Sequence, residues 1–221
     1  MLFPLRSLIR LTSFPAVTLL IIIVNLFCFL FEGALNPYSQ RILIYQYALV
    51  PDQLHLTSLV TSMFLHAGWM HLIGNMWFLW VFGSRVEDVI GSVRYAVYYL
   101  VCGIAAAFVH LILNLGSPVP TLGASGAIAG VMGGFLLLYP RARIVSLVLV
   151  IIFFTTIEVP AALLLLYWFA IQVFSGLLSF HRMSFTDSGN VAWFAHIGGF
   201  VAGMLLLSMF RGRTRRPGYS Y

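Results

Sequence analysis

The sequence contains no lysine. All 12 of its basic residues are arginines, set against only 6 acidic ones, and charged residues make up 8% of the 221 positions. An average soluble domain carries about 25% charged residues, so this scarcity excludes an ordinary water-soluble fold and indicates a polytopic membrane protein. The arginines sit in short clusters between apolar runs rather than on one basic face, which argues against nucleic acid as a partner and for a role in membrane orientation. The two cysteines, Cys28 and Cys102, fall within apolar runs with no C-x-x-C, so they read as small buried hydrophobes and not as a disulfide framework. No H-E-x-x-H is present for a zinc site, no pair of aspartates lies within the apolar stretches, and no phosphate-cradling glycine loop occurs. Metal, aspartyl and nucleotide chemistries therefore lack their parts, and no cofactor is implied.

What the sequence has in abundance is apolar length: 61% of it is hydrophobic. The run from Pro15 to Phe31 follows Arg6 and Arg10 but is long for a signal sequence and ends without a small-x-small cleavage site, so it reads as a first span. With about 20 apolar residues needed per crossing, spans are expected at approximately 15–32, 71–90, 93–114, 124–139, 160–180 and 193–210, followed by a basic tail over 211–221. The apolar segment 144–158 is either a seventh span or an interfacial or re-entrant piece. Arginine placement favours six: with the N-terminus inside, Arg6, Arg10, Arg85, Arg94, Arg141, Arg143 and the tail arginines are all cytoplasmic, and only Arg41 and Arg182 face out. Seven spans would put the tail on the wrong side. The expectation is a single all-α polytopic domain over 1–221, a six-helix bundle with a short central helix.

That short helix begins at Ser125, within "PTLGASGAIAGVMGG". Between Ser125 and Tyr139 there is roughly 22 Å of helix, less than the ~30 Å hydrocarbon core. If Tyr139 reaches the cytoplasmic interface, the serine starts below the outer one, and the non-helical "SPVPTLGA" before it must line a wet cavity or be buried in protein. At a helix start, free N–H groups and the dipole stabilise developing negative charge. Ser125 is accordingly a candidate nucleophile, or else a cap and packing residue. Gly126, Gly130 and Gly134 recur every four residues, as do Gly199 and Gly203 in "AHIGGFVAGM", so two smooth helix faces can cross closely and bring Ser125 near His196. A histidine inside a span is a functional candidate by default. His196 is the candidate general base, or a packing histidine. His71 and Asn75 share one helix face, where the Asn75 amide can act as an oxyanion donor or as an interhelical clamp. His110 is assigned to structure, and His55, His66 and His181 to structure or solvent. Of the acids, Glu87, Asp88 and Glu158 belong to the inner face and Asp187 is the only remote partner for a histidine, so a Ser–His dyad without an acid is expected.

With these residues assembled, the chain resembles the rhomboid intramembrane serine proteases of six-span bacterial type. "FLHAGWMHLIGNMWFLWVFGSRVE", "GASGAIAG" and "AHIGGFVAG" occur in that family's order and spacing from about residue 60 onward. The resemblance implies Ser125 as nucleophile, His196 as base, and an oxyanion hole from Asn75, His71 and the Ser125 backbone N–H. It also implies Gly123 as shaper of the turn before the nucleophile, and close packing through Gly126, Gly199 and Gly203, with Gly83 and Glu87 matching a G-x-x-x-E. The Trp-Arg pair of many members is missing; "HLTSLVTSMF" stands near its place. Implied partners are transmembrane protein substrates within the lipid bilayer, cut near small and helix-weakening residues, with no metal. Residues 160–180, including Trp168 and Phe169, and the loop "HRMSFTDSGNVAW" are the expected gate and cap. The rival readings are a non-catalytic binding or quality-control protein of the same fold, and a small transporter, against which no inverted repeat is visible. The short N-terminal part and the absence of an extra span favour a bacterial inner membrane, with both termini cytoplasmic.

Overall fold

Several polar side chains turn inward in this chain, while many large apolar ones point outward. Thr18, Asn25, Glu32, Ser84 and Glu87 are buried, whereas Phe27, Leu205 and Met209 are 69–78% exposed. That inversion suits a bundle surrounded by hydrocarbon, where inward polar groups must find protein partners. The computed structural model describes residues 2–150, 153–181 and 192–211. Within them, α1 (Ala16–Ala34) is followed by an outer helix, α2 (Pro37–Tyr47), and a short α3 (Ser58–Thr61) that runs into a 3-10 turn. Helix α4 (Trp69–Phe78) continues through a π-helical segment, Leu79–Gly83, into α5 (Ser84–Ile90), giving one helical stretch over 69–90. Then come α6 (Ser92–Leu113), α7 (Ser125–Leu138), α8 (Ala161–His181) and α9 (Trp193–Phe210). Four of these, α1, α6, α8 and α9, are long and apolar enough to cross a membrane, and α7 is a shorter apolar helix. The protein is thus a helical membrane bundle.

The end of the bundle where α1 starts and α5 stops is tied together by two carboxylates. Glu87 accepts from the Val17 and Thr18 backbone N–H groups at 2.9 and 2.8 Å. It also accepts from the Thr18 and Ser92 hydroxyls at 2.7 and 2.6 Å. A carboxylate on the free N–H groups of a first helical turn compensates for Pro15 at the N-cap, which offers no side-chain cap. Asp88 does the same for the chain entering α1, accepting from the Thr12 and Ser13 backbone N–H groups at 3.0 and 2.8 Å.

The structure adds a three-stranded antiparallel sheet to the helical bundle. Strand β1 (Leu2–Ser7) pairs with β2 (Arg143–Val150), and β2 with β3 (Phe153–Pro160), in the order β1-β2-β3. The segment read from sequence as an interfacial or re-entrant piece is therefore a β-hairpin. Its Ile, Val and Thr residues suit a pleated surface better than a helix. Pro4 lies on the outer strand β1, where a missing N–H is tolerated, and the register shifts between Pro4 and Arg6. β1 lies against the 69–90 stretch: the Trp77 indole N–H donates to the Pro4 carbonyl at 2.6 Å, and the Phe3 ring meets Trp77 and Phe78. Where β2 starts and β3 ends, the Ala161 N–H donates to the Ala142 carbonyl at 2.7 Å, which joins the start of α8 to the segment between α7 and β2.

Helices α6, α7 and α9 meet through small residues. A Cβ built on Gly126 would lie 2.8 Å from the Ala106 methyl, one on Gly130 would collide with Cys102, and one on Gly134 with the Tyr98 hydroxyl. The four-residue repeat of α7 therefore runs along an equal repeat of α6. On the other side, a Cβ on Gly199 would strike the Gly126 carbonyl and one on Gly203 the Gly130 carbonyl. The Tyr98 hydroxyl lies 3.0 Å from the Gly130 carbonyl and 2.8 Å from that of Gly203, bridging all three helices.

Candidate active site

Ser125 is the first residue of α7, after a turn that only glycine fills well. Gly123 has φ +124°, and a Cβ there would sit 2.7 Å from the His71 ring. The non-helical backbone before the serine is tied to the rest of the protein by hydrogen bonds. Thr121 exchanges both backbone hydrogen bonds with Leu49, at 2.8 and 2.9 Å, and the Gly123 N–H donates to the Ser62 carbonyl at 2.8 Å. These bonds hold the start of α7 against the 49–62 segment.

The Ser125 hydroxyl oxygen lies 2.7 Å from His196 Nε2. His196 sits in the first turn of α9 and is buried. The glycine seam accounts for the approach, because Gly199 and Gly203 carry the start of α9 onto the carbonyls of Gly126 and Gly130. On its other side His196 Nδ1 lies 2.7 Å from Gln172 Oε1, a side chain of α8 with 5% exposure. The rings of Trp168 and Trp193 flank the imidazole, with centroids 5.8 and 6.4 Å away. Sequence reasoning passed over Gln172. The rule that drew attention to His196, a polar side chain inside an apolar helix, applies to it equally.

His71 and Asn75 lie on α4 with the His71 ring against Gly123, two residues before the serine. A Cβ on Gly123 would be 3.5 Å from Asn75 Nδ2, so that amide also borders the turn. Asn75 Nδ2 donates to His66 Nε2 at 3.0 Å. His66 thus does more than the structural or solvated place expected of it: it is 1% exposed and fixes the orientation of the amide. Burial pushes the His66 imidazole, in the loop before α4, down to about 4, which leaves it neutral and able to accept.

His110 is engaged elsewhere, 2.9 Å from the Thr121 hydroxyl. Glu32 lies near the His66 backbone N–H at 3.5 Å, and Glu158 pairs with Arg143 at 3.4 Å on the surface. Asp187, most of the expected cap loop and the basic tail from 212 onward lie outside the described residues. Among the described residues no group of three or more His, Cys, Asp or Glu is placed to hold a metal ion.

Comparison with known proteins places this arrangement in context. The family model described as Rhomboid domain matches residues 53–213. The chain is 33% identical over 148 residues to RHOMBOID-like protein 6, mitochondrial, of Arabidopsis thaliana, covering 67% of this chain and 41% of that one. It is 31% identical over 122 residues to the mitochondrial presenilin-associated rhomboid-like protein of Mus musculus, covering 54% and 32%. With Rhomboid protease GluP of Bacillus subtilis the identity is 41% over 78 residues, covering 35% and 15%. The chain spans about two fifths or less of the length of these relatives. Two of the three are mitochondrial, so the similarity supports an integral membrane protein but not the bacterial inner membrane expected from the sequence.

Proposed function

The chain belongs to the rhomboid family, and on that premise we propose that it is an intramembrane serine endopeptidase. Its substrates are the transmembrane or juxtamembrane segments of other membrane proteins. The observation that carries this reading is the 2.7 Å approach of the Ser125 hydroxyl to His196 Nε2 at the start of a helix. His196 Nε2 takes the serine proton as Oγ attacks the scissile carbonyl carbon. The oxyanion forms beside the first-turn N–H groups of α7, with Asn75 and His71 as side-chain donors. Collapse of this intermediate breaks the C–N bond, and the imidazolium returns the proton to the leaving amine. Water, activated by the same nitrogen, then attacks the acyl-enzyme, and the serine leaves with its proton restored.

Gly123, Gly126, Gly199 and Gly203 serve this chemistry through geometry. They let the turn, α7 and α9 approach closely enough to pair a serine from one helix with a histidine from another. A substrate helix must unwind locally first, because a peptide group bonded within its own helix cannot reach Ser125. The non-catalytic binding reading accounts for the fold but not for a serine–histidine pair at hydrogen-bond distance. Cleavage of a single-span reporter co-reconstituted in liposomes tests the proposal. The parent should release two fragments, and Ser125→Ala and His196→Ala should release none while still binding the reporter. Equal cleavage by the Ser125→Ala variant would refute it.

A further inference from the structure

Resting on the protease reading, we propose that Gln172 is the positioning residue of His196, standing where a catalytic triad would place a carboxylate. A general base at Ser125 needs a bare Nε2, which requires the proton of the neutral imidazole on Nδ1. The partner that Nδ1 meets must then be an acceptor. At 2.7 Å it meets the carbonyl oxygen of the Gln172 amide. An aspartate in this place holds the tautomer, aims the ring and stabilises the imidazolium by charge. An amide performs the first two tasks and contributes only its dipole to the third.

The surroundings give the contact its geometry. Gln172 is 5% exposed on α8, whose stretch Ala161–Leu178 is apolar enough to cross a membrane. A carboxamide there is costly unless paired, and the described partner of its oxygen is this ring. One turn earlier on the same face of α8, the Trp168 ring lies beside the same imidazole, tilted by 38° with centroids 5.8 Å apart. One helix therefore supplies both a wall for the ring and an acceptor for its edge. The base comes from α9, the nucleophile from α7 and the orientation of the base from α8.

An ordinary interhelical clamp would use the same bond, so the test must separate positioning from stability. Gln172→Met keeps the size and removes the acceptor. Gln172→Glu keeps an acceptor and supplies the missing charge. The readouts are the rate of Ser125 labelling by a fluorophosphonate, kcat and KM on a reporter peptide, and thermal unfolding in detergent. Gln172→Met should lower kcat and the labelling rate by about 10–100-fold, the scale on which second partners of functional imidazoles act, with KM within about twofold. Gln172→Glu should recover most of that loss and move the acidic limb of the kcat–pH profile upward, because a carboxylate favours the imidazolium.

A Gln172→Met protein that reacts at the parental rate, or loses stability with no change in kcat, overturns the proposal while the protease reading stands. A parent that is never labelled sinks both. Nitrogen-15 shifts of His196 in the unaltered protein give a test that needs no variant. They should report a protonated Nδ1 and a bare Nε2, and a ring protonated mainly on Nε2 contradicts the assignment.

Discussion

At the scale of single residues, the proposed mechanism divides the work between side chains that react and side chains that aim them. Asn75 illustrates the division. One of its two amide N–H groups is held by His66 at 3.0 Å, which fixes the plane in which the other points. Asn75→Ala should lower kcat by about 100-fold or more, the usual cost of losing one oxyanion donor, with KM little changed in steady-state assays. A His66→Gln variant should retain most of the bond and most of the rate. His66 also predicts a pH dependence of stability. Its folded value, about 4, lies below the ordinary 6.5. The unfolded chain therefore binds more protons at this residue between those values, and stability falls as pH drops from about 6.5 towards 4. Thermal unfolding of His66→Gln should show a shallower loss across that window than the parent, and an identical slope would contradict the assignment. The pair Ser125 and His196 could be read in sequence because each is a polar residue where hydrocarbon disfavours it, next to glycines that allow contact. His66 and Gln172 were harder to see. Their importance comes from what they touch, and neither His66–Asn75 nor Gln172–His196 forms a local motif.

At the scale of elements, the helices are held by seams too narrow for a side chain. Gly203 has no room for a methyl, because the Gly130 carbonyl fills the space and backbone cannot easily yield. Gly203→Ala should destabilise the protein by roughly 1–3 kcal/mol or more. It should also reduce labelling of Ser125, since it pushes α9 and its histidine away from α7. Tyr98→Phe should cost about 1 kcal/mol by removing the hydroxyl that links α6, α7 and α9. Both losses can be read from unfolding in detergent mixtures. The structure separates two residues of α8 that sequence treats alike. Both lie near Phe200, Phe169 stacked at 4.7 Å and Trp168 tilted at 6.1 Å, but Trp168 also lies beside His196. Phe169→Ala should raise turnover of a transmembrane substrate by loosening α8, and Trp168→Ala should lower it by freeing the ring of the base. The glycine repeats were legible because a four-residue spacing survives in any apolar helix. That Gly126, Gly130 and Gly134 run along α6, with α9 resting on their carbonyls, was not, since spacing identifies a face but not its neighbour. The pairing of β2 with β3 was obscured for a related reason: a continuous apolar run lacks the alternation that marks a half-buried strand, and β1 pairs with β2 from some 140 residues away.

At the scale of the whole molecule, the account is one of depth and water. A 14-residue α7 is about 21 Å long, shorter than the hydrocarbon core it sits in. On the protease reading, an α7 whose C-terminal end reaches one interface starts below the other, where proteolysis needs both a sequestered peptide and a supply of water. The central claim is that Ser125 is an activated nucleophile, and the most direct test requires no known substrate. The purified protein in detergent is treated with a fluorophosphonate, and intact mass is read for the parent, Ser125→Ala and His196→Ala. A single adduct on the parent and none on either variant is the result the account predicts. An unmodified parent that is folded by circular dichroism and thermal unfolding would contradict it, and would favour a rhomboid-fold protein that binds membrane segments without cutting them.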